Sequence, residues 1–154
     1  MNLTIKIPRS IFDRMIAQAQ DERPRECCGL LGGRDSQAIS CYPLQNKSPQ
    51  PETRYFAAPE DLFAAMRSMR CGSEELIGIY HSHPNGSAYP SKTDLELAFY
   101  PQAVYLIIAL DPQAEVRAFR IDGREAAEIE IDLIENAERR DDGTNGNNET
   151  DGAI

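Results

Sequence analysis

His81 and His83, the two histidines of a 154-residue chain, stand one residue apart at the end of the apolar run LIGIY. Side chains two apart on a strand point to the same face, so both imidazoles can aim at one point. Zinc takes neutral imidazoles at ~2.0–2.1 Å, and a catalytic zinc needs a third protein ligand and one position open to water. Seven residues, PNGSAYP, separate His83 from SKTD, where Ser91 can cap a helix whose first turn carries Asp94. A loop of that length can fold back and present Asp94 to the histidines. Each part also has an ordinary reading: histidines at i and i+2 occur in many cores and surfaces, and Ser-x-x-Asp is a common helix start. The joint pattern makes a metal site the sharper expectation.

The elements that must position these groups alternate along the chain. LTIKI reads as a short strand closed by Pro8, and RSIFDRMIAQAQ as a helix with Ile11, Met15 and Ile16 on one side, stopping before DERPRE. ECCGLLGG reads as a buried strand, Gly32-Gly33-Arg34-Asp35 as a turn, and QAISCYPL as the next strand. QNKSPQPETRYFA is a polar, proline-containing loop. In APEDLFAAMRSMR, Pro59, Glu60 and Asp61 suit a first helical turn, and the stripe Leu62, Phe63, Met66 and Met69 is expected in the core. ELIGIYHSH is a strand ending in the histidines, SKTDLELAFY a helix, and AVYLIIAL, EVRAFRI and AAEIEIDLI are three further strands. The order predicts an α/β or α+β domain in which a mixed, curved sheet is flanked by two or three helices. It is expected over residues 1–135. A tail over 136–154, with almost no apolar content in DDGTNGNNETDGAI, is expected to be disordered.

A net charge of −9 argues against nucleic-acid or anionic-membrane partners, which call for a basic patch. No apolar run reaches the ~18 residues of a membrane helix, and the N-terminus lacks the layout of a signal peptide, so a cytoplasmic protein is expected. Cys27, Cys28, Cys41 and Cys71 match neither a zinc ribbon nor a secreted disulfide framework and read as free thiols.

HSHP, followed after seven residues counted from Pro84 by S-x-x-D, resembles the JAMM motif of the MPN-type metallopeptidases, the Mov34/MPN/PAD-1 family. Upstream, Glu26 stands in E-x-C-G-L-L-x-G, a setting that resembles the compact prokaryotic members. The resemblance spans about the first 130 residues. It implies an MPN-type fold, related in architecture to cytidine deaminases, and one Zn2+ per chain held by His81, His83 and Asp94. Glu26 would be the catalytic acid/base and Ser91 the donor that steadies the oxyanion. Members cleave the amide after the C-terminal Gly-Gly of ubiquitin-like or sulfur-carrier proteins, so such a carrier is the implied partner, with cysteine or a lysine-linked protein as leaving group. The chain has no long insertion beside the HSHP loop, so ubiquitin-chain specificity is not expected. The alternative is a non-catalytic MPN scaffold, although scaffolds usually lack the ligands kept here. A zinc deaminase would need H-x-E and P-C-x-x-C, and a HExxH protease its helix motif; neither occurs. Cys28 shares the face of Glu26 but is read as packing, because a fourth protein ligand would close the site to water. Asn85, Ser87 and Tyr89 are candidates for substrate contact.

Overall fold

The computed structural model describes residues 4–135. The expected tail over 136–154 lies outside them. In chain order the elements are β1 (Thr4–Pro8), α1 (Arg9–Glu22), β2 (Cys28–Arg34), β3 (Gln37–Leu44), α2 (Pro59–Cys71), β4 (Glu75–His83), α3 (Lys92–Glu96), β5 (Val104–Ala109), β6 (Glu115–Asp122) and β7 (Glu125–Ile134). No helix among the described residues is long and apolar enough to cross a membrane.

The strands lie in the order β1-β3-β2-β4-β5-β6-β7, and β7 returns to pair in parallel with β1, so the mixed sheet closes on itself. Closure was not expected from the pattern. It rests on β1, which pairs with five residues of β7 on one side and meets β3 through Lys6 and Gln37 on the other. The β4–β5 pair is also parallel, and α3 lies in its crossover.

Strand alternation divides the interior into two cores. On one side, Cys27, Leu31, Tyr80, Leu106 and Ile108 pack with Ile11, Met15 and Ala19 of α1. On the other, Cys28, Leu30, Ile79, Ile107 and Phe119 pack with Ala65 and Met69 of α2. β5 is buried along its whole length because it contributes to both cores, which is why VYLIIA reads as an unbroken apolar run.

Four expectations need correction. Gly32, Gly33 and Arg34 belong to β2, and the turn falls on Asp35 and Ser36, both at positive φ. α1 continues through Asp21 and Glu22, and it is Arg23 that leaves helical geometry (φ −51°, ψ 137°), because a residue before proline is pushed out of the α region. α3 ends at Glu96 instead of running to Tyr100. Pro101 disfavours helix at Tyr100 in the same way, and the Tyr100 N–H donates to the Tyr105 hydroxyl at 3.1 Å. In α2 the buried side is formed by Ala65 and Met69, with Leu62 half-buried, whereas Phe63 is 69% exposed and Met66 36%. The apolar stripe is wider than the sheet can cover.

Candidate metal centre

β4 lies antiparallel to β2, with Cys28 opposite His81, and parallel to β5, with His83 beside Ala109. Its alternation sends His81 and His83 to the α2 side of the sheet and Ser82 to the other. At the strand end Ser91 acts as the N-cap of α3: its hydroxyl accepts the Asp94 N–H at 3.0 Å, and Asp94 Oδ2 accepts the Ser91 N–H at 2.9 Å. This reciprocal cap turns the Asp94 carboxylate inward.

The result is a near-equilateral triangle. His81 Nε2 lies 3.1 Å from His83 Nε2, and each lies 3.1 Å from Asp94 Oδ2. His83 Nδ1 sits 2.7 Å from the Ser87 carbonyl, which can only accept, so Nδ1 carries the proton and a neutral ring turns its bare Nε2 into the triangle. Burial opposes charge on Asp94, but the two imidazoles and the Ser91 N–H together hold its carboxyl well below the usual carboxylate range. Burial depresses His81, while for His83 contact with Asp94 and Ser87 outweighs burial and raises it.

These donors fit a metal ion. A tetrahedron with bonds of ~2.0–2.1 Å has edges of about 3.3–3.4 Å, close to the observed separations, and two imidazoles with one carboxylate form a three-ligand set that leaves a position open. His81, His83 and Asp94 are the His/Cys/Asp/Glu group found in the described residues that can hold an ion.

Glu26 enters from the segment before β2. It is 6% exposed, and no hydrogen bond holds its carboxylate among the described residues. Burial pushes its carboxyl up to about 7, with His83 lowering and Asp94 raising it, so the group feels two of the triangle's three members. Cys28 is buried with its thiol 3.8 Å from the Leu44 carbonyl, burial pushes that thiol up to about 12, and it takes no part in the metal group.

The loop over 84–90 meets His83 through its backbone. Besides the Ser87 carbonyl on His83, the Pro84 carbonyl accepts from Arg23 at 3.3 Å. Tyr89 packs edge-on against Phe119, and Asn85 is exposed.

Two residues of the polar loop after β3 escaped the sequence reading. Tyr55 stacks on the His81 ring, with centroids 4.6 Å apart and planes at 27°. Asn46 is buried and binds the Glu26 carbonyl at 2.9 Å. The signal present was the Asx turn of Asn46 with Ser48, which marks a built loop but not what it supports. Beside His81 and Asp94 opens a cleft of about 600 Å³ with Tyr55, Phe56, Phe63, Leu97, Phe99 and Tyr100 in its walls.

The model of a family described as prokaryotic homologs of the JAB domain matches residues 8–122. The chain is 32% identical over 125 residues to a desampylase of Haloferax volcanii, covering 79% of this chain and 88% of that one. It is 36% identical over 126 residues to a probable TtuB-protein conjugate cleaving protease of Thermus thermophilus, covering 81% and 82%. Over 133 residues it is 32% identical to the CysO-cysteine peptidase of Mycobacterium tuberculosis, covering 84% and 90%. A solution structure from Desulfitobacterium hafniense, 35% identical, superposes with a TM-score of 0.78 over 87% of this chain and 95% of that one. A JAMM structure described as a metalloprotease-like zinc site in the proteasome and signalosome shares the fold, at 20% identity and a TM-score of 0.55 over 85% and 98%.

Proposed function

This chain belongs to the prokaryotic JAB-domain family, and on that premise we propose that it is a metallopeptidase acting on conjugates of a ubiquitin-like or sulfur-carrier protein. The bond it hydrolyses is the amide after the carrier's C-terminal Gly-Gly, and the product is cysteine or a lysine-linked protein. The observation that carries the reading is the convergence of His81 Nε2, His83 Nε2 and Asp94 Oδ2 at 3.1 Å, with a buried Glu26 carboxyl that carries no hydrogen bond among the described residues and feels the charges of His83 and Asp94.

His81, His83 and Asp94 would hold one divalent ion, zinc by the nitrogen and oxygen character of the set. Such an ion, when bound, polarises a carbonyl and lowers the pKa of a water toward ~7. Glu26 takes the proton of the attacking water and returns it to the leaving amine, a task suited to a carboxylate free of other hydrogen bonds. Ser91 keeps its hydroxyl proton, since its oxygen accepts from Asp94, and donates it to the carbonyl oxygen as negative charge develops there. A Gly-Gly tail has no side chains and can thread a narrow approach that excludes bulkier C-termini. The body of the carrier meets the cleft, where Phe56, Phe63 and Phe99 stand exposed. Exposed apolar groups gathered at one site are the usual mark of a protein partner. A cytoplasmic setting fits the free thiols at Cys27, Cys28, Cys41 and Cys71.

The test uses zinc-loaded protein and two adducts of a ubiquitin-like protein ending in Gly-Gly, one joined to cysteine and one to a lysine of a reporter. Mass spectrometry should find the carrier released with a free Gly-Gly carboxylate, and Glu26→Gln should retain metal while losing turnover. Cleavage elsewhere, or undiminished turnover by that variant, would refute the reading.

A further inference from the structure

Asn46, just past the end of β3, is 4% exposed and spends its whole side-chain amide on backbone groups of two segments. Its Nδ2 donates to the carbonyls of Glu26 at 2.9 Å and Arg54 at 3.0 Å, with Pro51 farther off at 3.4 Å. Its Oδ1 accepts the N–H groups of Ser48 at 2.9 Å and Phe56 at 3.0 Å. Three carbonyls on the nitrogen side and two N–H groups on the oxygen side leave one orientation for the amide.

These partners flank the groups that do the chemistry. Arg54 and Phe56 lie on either side of Tyr55, whose ring covers His81. The imidazole needs that support, because its buried Nδ1 finds no hydrogen-bond partner among the described residues, whereas a metal-binding histidine usually has its second nitrogen held. The Glu26 carbonyl is bound by Asn46 itself, and the Glu26 N–H donates to the Pro51 carbonyl at 2.7 Å within the same loop. Both peptide groups of the base therefore rest on the loop that Asn46 closes.

We infer that Asn46 is the positioning residue of the centre: one buried amide fixes the backbone of Glu26 and, through Tyr55, the plane of His81. The inference rests on the roles given to Glu26 and His81 above. Asn46 links the base to a ligand located more than thirty residues further along the chain.

Asn46→Asp keeps the shape and the acceptor oxygen but sets a second oxygen against the carbonyls of Glu26 and Arg54. Tyr55→Leu leaves the amide bonds intact and removes only the ring on His81. Full-length protein loaded with cobalt(II) is to be measured for its visible spectrum and cobalt affinity, and for hydrolysis of the carrier–lysine reporter adduct. For Asn46→Asp, kcat should fall ~10–100-fold with KM within about twofold, as expected when a group supporting the reacting residues is lost. For Tyr55→Leu, the cobalt bands should shift and cobalt affinity fall by about tenfold. Folded Asn46→Asp with kcat within about twofold of the parent, or Tyr55→Leu with unchanged cobalt spectrum and affinity, would overturn the inference. Glu26→Gln measured alongside separates the failures. If it is inactive while Asn46→Asp is fully active, only the positioning role falls; if it turns over normally, the base reading falls and the inference with it.

Discussion

Cys27 and Ser82 exchange two hydrogen bonds across the β2–β4 seam: the Cys27 N–H donates to Ser82 Oγ at 2.8 Å, and the Ser82 N–H donates to the Cys27 carbonyl at 3.1 Å. The serine hydroxyl takes the place of a ladder carbonyl just where β2 begins. The residue between the two histidines thus sets the distance from their strand to the residue that follows Glu26.

Ser82→Ala should therefore affect both stability and catalysis. It leaves the buried Cys27 N–H without an acceptor, at a cost of about 1–3 kcal/mol. Because Ser82 points away from the triangle, metal content should stay at the parent level while kcat drops. Denaturant unfolding with steady-state kinetics checks this, and an unchanged kcat in a destabilised variant would limit Ser82 to structure.

Asp94→Ala removes one corner of the donor triangle and the carboxylate half of the Ser91 cap together. Metal content after dialysis should fall far below one per chain, with activity lost. Asp94 belongs to neither core, and α3 is only five residues long, so the circular dichroism of the domain should be retained. Full metal retention would show that the two histidines suffice.

The metal-free protein should carry a stability penalty at Glu26. Burial raises its carboxyl from 4.5 to about 7, so between those values the folded chain holds a proton that the unfolded chain has released. Stability from this group falls as pH rises through that window. The depressed Asp94 acts oppositely, contributing stability that is lost only as pH drops below the ordinary carboxylate range. His81 and His83 shift in opposite directions and are common to both proteins compared. Metal-free Glu26→Gln should thus be more stable than the parent near pH 8, by up to about 3 kcal/mol, with the gap closing toward pH 5. Urea unfolding at the two pH values decides it; a gap independent of pH would assign it to something other than Glu26 ionisation.

Much of the candidate site's geometry was legible because its parts are local. His81 and His83 share a face by strand alternation, and Ser91 with Asp94 form a cap by helix geometry. The placement of Glu26 beside them depends on β2 pairing with β4, fifty residues apart, and only a family resemblance pointed to it. Tyr55 and Asn46 were not legible, since their roles arise from a loop folding back onto a strand end, and the chain there carries only turn chemistry. Phe63 and Met66 misled in the opposite sense: helical periodicity marks an apolar stripe but not how much of it the sheet covers.

That uncovered stripe leads to the last prediction. Phe63 is 69% exposed on α2, in the wall of the cleft that reaches His81 and Asp94, and Phe99, which lines the same cleft, is 70% exposed. Neither is needed for the cores, so Phe63→Asp should leave the melting temperature within a degree or two, as surface substitutions usually do. If the body of a carrier protein docks there, a charge at that point desolvates on binding without a partner, and the complex weakens by about 2 kcal/mol or more. KM for the carrier adduct should then rise at least ~30-fold with kcat little changed, because the contact is equally present before and during bond cleavage. A short Gly-Gly peptide amide, too small to reach Phe63, should be hydrolysed equally well by both proteins. Equal loss on peptide and carrier would instead mean that Phe63 shapes the centre, and no loss on either would place the carrier on a different face.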